Sequence, residues 1–252
     1  MSGLLVRMRL SEPADFSAVL AGAWTGVPPG DLARRPVAVA GRGEVPLGDI
    51  GEVGGTVDGT ITFTGDTGRV TRLGAGLSEG AVLVENSIGD EVGLGMAGGT
   101  IEIRGDAGAR AGGAAPEARR GMTGGELVVH GSVGESAGVL MRRGLLVVGG
   151  GVGHHAGAGM LAGSIVAFGD IGTAAGLWSK RGSIVALAGI TIPSTYRYAC
   201  LYQPVHLRLT LSRLRSRYGL PVGAQHLSGF YRRYSGDLAD LGKGEILAWT
   251  QS

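Results

Sequence analysis

The sequence predicts an all-β chain, a right-handed parallel β-helix of about eight coils of ~19 residues, and three observations predict it. The first is glycine: 50 of the 252 residues are Gly and 9 are Pro, together 59, against a usual share of about 12%. A chain that is 44% hydrophobic with a formal charge of +2 is not disordered, and glycine does not fall at every third position as collagen requires. The second is a recurring unit, with copies starting at Gly125, Gly144, Gly163 and Gly182, 19 residues apart. The third is a pair of apolar residues, two positions apart, inside every copy. Residues two apart on a strand share a face, so these pairs stack into one interior ladder.

The elements follow in chain order. MSGLLVRMRL alternates Leu4, Val6, Met8 and Leu10 with Arg7 and Arg9, which reads as a strand and not a signal peptide. Asp15 before FSAVLAGAW predicts a short capped helix that ends at Pro28-Pro29-Gly30. Residues 1–40 lie outside the repeat and are expected to form a strand-and-helix cap over its open end. Residues 41–191 carry the repeat, with a degenerate first copy at Gly48-Gly51 and further starts at Gly59, Gly80 and Gly99. Spacings of 21 and 26 residues mark two insertions, the larger holding the polar stretch Ala114 to Arg120 as a protruding loop.

Each copy turns its corners on glycines, at Gly105-Gly108-Gly112, Gly131-Gly134-Gly138, Gly150-Gly153-Gly157 and Gly169-Gly172-Gly176. The apolar pairs are Ile61/Phe63, Val82/Val84, Ile101/Ile103, Leu127/Val129, Leu146/Val148, Ile165/Ala167 and Ile184/Ala186, and a second ladder runs through Ile88, Ala107, Val133, Val152 and Ile171. Glycine gaps of six, three and four differ from the strict hexapeptide of left-handed helices, and calcium-binding aspartates are missing from the turns. The constant period argues against a generic glycine-rich β-sandwich.

Outward positions change character along the repeat. Thr62, Thr64, Glu85, Glu102 and Arg104 suit water, whereas Val128, His130, Val147, Val166, Phe168, Val185 and Leu187 make a face too apolar to stay bare. The expectation is that the segment after Pro193 packs there and that a partner subunit covers the rest. Residues 192–252 form a tail with eight basic residues against three acidic ones. In VHLRLTLSRLRSRYG, Leu207, Leu211, Leu214 and Tyr218 recur at helical spacing, so the tail is expected to be helical on the outer face, with Arg208, Arg213, Arg215 and Arg217 on other sides. Those arginines are candidates for an anion or partner site; nucleic acid is not expected, since no reader motif or aromatic platform accompanies them.

Catalytic and metal constellations are not found. His154 and His155, as consecutive strand residues, point to opposite faces and do not bind one metal readily. The single cysteine, Cys200, excludes an intrachain disulfide and suggests a reducing cytoplasm; no segment approaches 18 apolar residues, so no membrane span is expected. The glycine motif resembles phosphate-cradling loops only superficially, because those require a strand leading into a helix.

Tandem GxxGxxxG units of this kind resemble two related proteins: the C-terminal domain of the glutamate synthase large subunit, and the C-type subunit of formylmethanofuran dehydrogenase with its bacterial counterpart in the formyltransferase/hydrolase complex. The tail, PSTYRYACLYQPVHLRLTLSRLR followed by FYRRYSGDLADLGKGEIL, is similar to the end of the bacterial counterpart, with Arg232-Arg233-Tyr234, Gly236-Asp237 and Gly242-Lys243-Gly244-Glu245 carrying the likeness. The 26-residue unit holding Pro116 to Arg120 departs from the pattern.

The resemblance implies a non-catalytic scaffold in a complex that moves formyl from formyltetrahydromethanopterin to a methanofuran analogue and releases formate during one-carbon oxidation. It implies companion subunits: a formyltransferase, a zinc amidohydrolase and a molybdopterin-enzyme-like chain. This chain itself would bind no cofactor; the methanofuran analogue, tetrahydromethanopterin and zinc belong to the others. Interface residues would be the outer stripe with Arg232 and Arg233, and the tail arginines would attract a polyglutamate cofactor. The alternative is a scaffold in a glutamate-synthase-like amidotransferase complex.

Overall fold

The computed structural model describes residues 3–20, 24–56 and 58–250. The chain opens with β1 (Leu4–Met8), β2 (Ala14–Asp15), α1 (Pro29–Ala33), β3 (Pro36–Val39), β4 (Gly43–Pro46), α2 (Leu47–Ile50) and β5 (Gly51–Gly55). It continues through β6 (Thr60–Gly65), β7 (Val70–Thr71), β8 (Ala81–Val84), β9 (Thr100–Ile103), β10 (Glu126–Val129), β11 (Leu145–Val148), β12 (Ser164–Ala167) and β13 (Arg181–Ala186). The C-terminal part is β14 (Arg197–Tyr202), α3 (Val205–Tyr218), α4 (Ala224–Ser228), β15 (Phe230–Gly236) and β16 (Lys243–Thr250).

Twelve strands form one mixed sheet in the order β14-β15-β16-β13-β12-β11-β10-β9-β8-β6-β1-β5, and β4-β3-β2-β7 form a second sheet of four. The expectation of an all-β right-handed parallel β-helix is therefore corrected to a mixed α/β fold on a twelve-stranded mixed sheet. The physical reason lies at the two ends, where no period exists to read. β5 closes one edge antiparallel to β1, and β14 and β15 close the other antiparallel, while β1 inserts parallel to β6 and β16 parallel to β13.

Within the sheet the 19-residue spacing acts as a register rule. Val82 pairs with Ile61 and Ile101, Leu127 with Ile101 and Leu146, and Ile165 with Leu146 and Ile184. One long core of buried side chains runs along the inner face, from Leu4, Val6 and Met8 through Ile61, Phe63 and Leu127 to Ile184 and Ile246. Single bridges link Ile88, Ala107, Val133, Val152, Ile171 and Ile190 into a second line. The corners between them are closed by backbone contact: a Cβ on Gly149 would stand 2.2 Å from the His130 carbonyl oxygen, so a side chain has no room there.

The N-terminal region also differs from expectation. Ser17 to Leu20 form turns, part of the FSAVLAGAW helix falls outside the described residues, and a helix begins where the proline pair is expected to end one, at Pro29 with Pro28 as its N-cap. Proline fits the first turn because its missing N–H has no helical acceptor to lose. Asp15 instead receives the Ser17 N–H at 2.8 Å and pairs at 3.0 Å with Arg72, just after β7, so the pair lies within the four-stranded sheet region.

Candidate functional site

Two strand faces meet different neighbours. Leu127 and Val129 of β10 point into the inner core, so Glu126 and Val128, one position out of phase, point the other way. There Val128, Val147, Val166, Val185 and Leu187 are buried under Leu207, Leu211, Leu214 and Tyr218 of α3, with Leu220, Val222, Tyr231 and Leu247 completing the cluster. The helix forms because its four buried residues recur at three- and four-residue spacing, and it stops at Gly219, which takes the left-handed conformation at φ 66°.

At one end of this interface the Glu126 carboxylate, on a residue only 8% exposed, accepts both Arg213 N–H groups at 2.8 and 2.9 Å and the Tyr218 hydroxyl at 2.9 Å. Arg217 stands 3.9 Å from the same carboxylate, with its guanidinium 5.2 Å from the Tyr218 ring centroid. Burial first, then the Glu126 charge, pushes the Tyr218 phenol well above the ordinary tyrosine range, so it stays a donor. The hydrogen bond that Arg213 donates to Glu126 outweighs burial and holds the guanidinium above its usual value. Sequence reasoning misses both Glu126 and Tyr218 as polar glue. The sequence does hold one signal, since the matching positions in β9, β12 and β13 are Thr100, Ser164 and Ser183.

The other expected site residues scatter. Arg208 is exposed on a small cleft with His226 and Tyr231, and Arg215 is exposed in the last turn of α3. Val128, Val147, Val166 and Val185 are closed off by this chain's own helix and offer nothing to a partner; Phe168 is half-buried against the same cluster. His130 bonds Glu102 at 2.8 Å. Arg233 pairs with Glu245 at 2.8 Å, and Glu245 also accepts the Ser183 hydroxyl at 2.6 Å, while Arg232 is exposed. His154 accepts the Thr173 N–H on Nδ1 at 3.2 Å, and no group of three potential metal ligands occurs among the described residues. Among the described residues no helix is long and apolar enough to cross a membrane. Cys200 is exposed on β14.

The arrangement is suited to holding a tail on a sheet: apolar contact supplies the area, and one carboxylate with three donors fixes the register. No protein-family model matches the chain, and no curated protein matches it. Among solved structures it is similar to a chain in the X-ray crystal structure of the formyltransferase/hydrolase complex (FhcABCD) from Methylorubrum extorquens in complex with methylofuran. Identity is 32%, the match covers 98% of this chain and 100% of that chain, and the TM-score is 0.76. With that identity spread over the whole of both chains, the chain belongs to the family of that subunit of the formyltransferase/hydrolase complex.

Proposed function

We propose that the chain is the C-type subunit of a formyltransferase/hydrolase complex and serves it as a structural brace. The single observation that carries this is the full-length likeness to a chain of such a complex at 32% identity. The geometry supports the bracing role. Side chains that could do chemistry are engaged in holding the C-terminal segment against the sheet: Glu126 with Arg213 and Tyr218, and Glu245, already paired with Arg233, with Ser183.

In this reading the complex passes formyl from formyltetrahydromethanopterin to a methanofuran analogue and hydrolyses it to formate. The formyl chemistry and its zinc sit in a formyltransferase and an amidohydrolase subunit, and a molybdopterin-enzyme-like chain completes the set. In this chain the His154 Nδ1 accepts the Thr173 N–H. Its contribution is a rigid face against which other subunits align. Of the tail arginines, Arg213 is committed to Glu126, which leaves the exposed Arg208 and Arg215 to meet a polyanionic cofactor.

The test is purification of the tagged full chain from cells that make all four subunits. Recovery of three companions, with formate release by the assembly and none by the isolated chain, is the expected result. Recovery of the chain alone, or with flavin and iron–sulfur proteins, overturns the proposal.

A further inference from the structure

Trp178 occupies a place in the repeat where small residues serve better. The same corner is held by Gly76, Gly95 and Gly159 at φ 67°, 63° and 64° and by Leu140 at φ 56°, all left-handed, but Leu140 is half-buried. Trp178 adopts φ 57° with a full indole, a conformation that bulky L residues take only at a cost, and its side chain is then left 62% exposed. Packing does not repay that cost within the chain. Its backbone is fixed by an N–H donated to Asp237 at 2.7 Å, which brings the turn carrying Leu238 and Leu241, 54% and 53% exposed, beside it.

A cleft of about 390 Å³ adjoins this apolar group, lined by Arg142, Arg143, Leu161, Lys180, Arg181 and Leu241. Lys180 has one distant acid, Asp240 at 3.9 Å. Arg142, Arg143 and Arg181 make no side-chain ion pair among the described residues, so at least three cations share a cleft with a single carboxylate at its edge. A strained exposed tryptophan, two exposed leucines and an uncompensated cationic cleft are the composition of an interface anchor and not of an ordinary surface.

We infer that the surface formed by Trp178, Leu238, Leu241 and the Arg142–Arg143–Arg181 cleft docks an acidic segment of a companion subunit that also carries an apolar anchor. This deepens the reading of the chain as a brace and rests on it. Charge complementarity selects the occupant: a small anion would fill the cleft and leave Trp178, Leu238 and Leu241 wet, and a second copy of this chain would set cations against cations.

The experiment titrates the full-length chain with the purified assembly of its companion subunits, for wild type, Trp178→Gly and Arg142→Glu/Arg143→Glu, with thermal melting of each chain. Both variants are expected to bind about 30-fold more weakly, the loss typical of a central anchor. Trp178→Gly should melt no lower than wild type, because it restores the residue that fits the backbone. The arginine pair should also show a weakened salt dependence of binding. Equal affinities for all three chains overturn the inference while leaving the brace intact. Loss with Trp178→Gly but not with the arginine pair overturns the acidic partner. Sedimentation showing that Trp178→Gly abolishes self-association instead makes this a contact between copies and overturns the companion. No binding by wild type overturns the brace and this inference together.

Discussion

The Glu126 carboxylate and the Arg213 guanidinium face each other fork to fork, at 2.8 and 2.9 Å, across 87 positions of chain. The pair joins the first residue of β10 to the middle of α3, and the Tyr218 hydroxyl closes the third side. Glu126→Gln keeps the shape and removes the charge. We expect it to cost about 1–3 kcal/mol, the loss of charge-assisted hydrogen bonds at a buried acceptor. A double-mutant cycle with Arg213→Ala should give a coupling of about 1 kcal/mol or more. Additive melting shifts would show that the contact contributes nothing.

Apolar contact under the same helix makes a second prediction. Leu211 and Val147 are both 0% exposed and belong to one cluster between α3 and the sheet. Leu211→Ala should cost about 2–5 kcal/mol, and Val147→Asp, which buries a charge without a partner, should release the helix from the sheet. Trypsin reads this directly, because α3 carries Arg208, Arg213, Arg215 and Arg217. Faster cleavage within residues 205–218 in Val147→Asp is the expected result, and wild-type resistance would remove α3 from the account.

Two glycines separate steric from conformational need. Gly149 has no room for a Cβ, which would meet backbone at 2.2 Å, whereas Gly95 has open space but sits at φ 63°. Gly149→Ala forces neighbouring strands apart and should abolish soluble, cooperatively melting protein. Gly95→Ala should cost only about 1–2 kcal/mol, the left-handed penalty of an L residue. Similar losses in circular-dichroism melts of the two variants would refute the distinction.

These residues also show how far the sequence can be read. The 19-residue period locates β8 to β13, their inner face and the second line through Ile88 and Ile171, because stacking makes every copy obey the same constraint. It cannot locate the insertion of β1 between β5 and β6, the return of β16 beside β13, or the four-stranded sheet, since each is paired by residues far apart with no repetition to reveal them. That is why the period predicts an all-β helix where a mixed sheet with antiparallel ends is found. The apolar outer stripe is legible as a face needing cover, yet its Val128 and Val147 are closed by the chain itself. Glu126 shows only as one acid at a position that holds Thr100, Ser164 and Ser183 in other strands, a pattern too weak to name its partners, and Trp178 is missed because its meaning depends on a backbone angle.

Asp237 supplies the pH dependence. It is 0% exposed and accepts the N–H of Ala239 at 2.9 Å and of Trp178 at 2.7 Å. Burial alone would raise its pKa, but its hydrogen-bond donors together, the Ala239 and Trp178 N–H groups first and the Thr195 hydroxyl after them, outweigh it and hold the carboxyl below the ordinary aspartate value. A group depressed in the folded state stabilises it fully above the unfolded pKa of about 3.9, and that contribution disappears as pH falls through the lower folded value. Asp237→Asn should therefore be less stable than wild type at neutral pH by about 1–3 kcal/mol, from the lost charge-assisted bonds. The difference should shrink only below about pH 4, where the unfolded wild-type chain begins to take up the proton first. Denaturant melts from about pH 7 down to about pH 3 measure this, bracketing the unfolded carboxylate pKa. Parallel curves for the two proteins across that range would show that the Asp237 carboxylate is not what holds the 237–242 turn to Trp178.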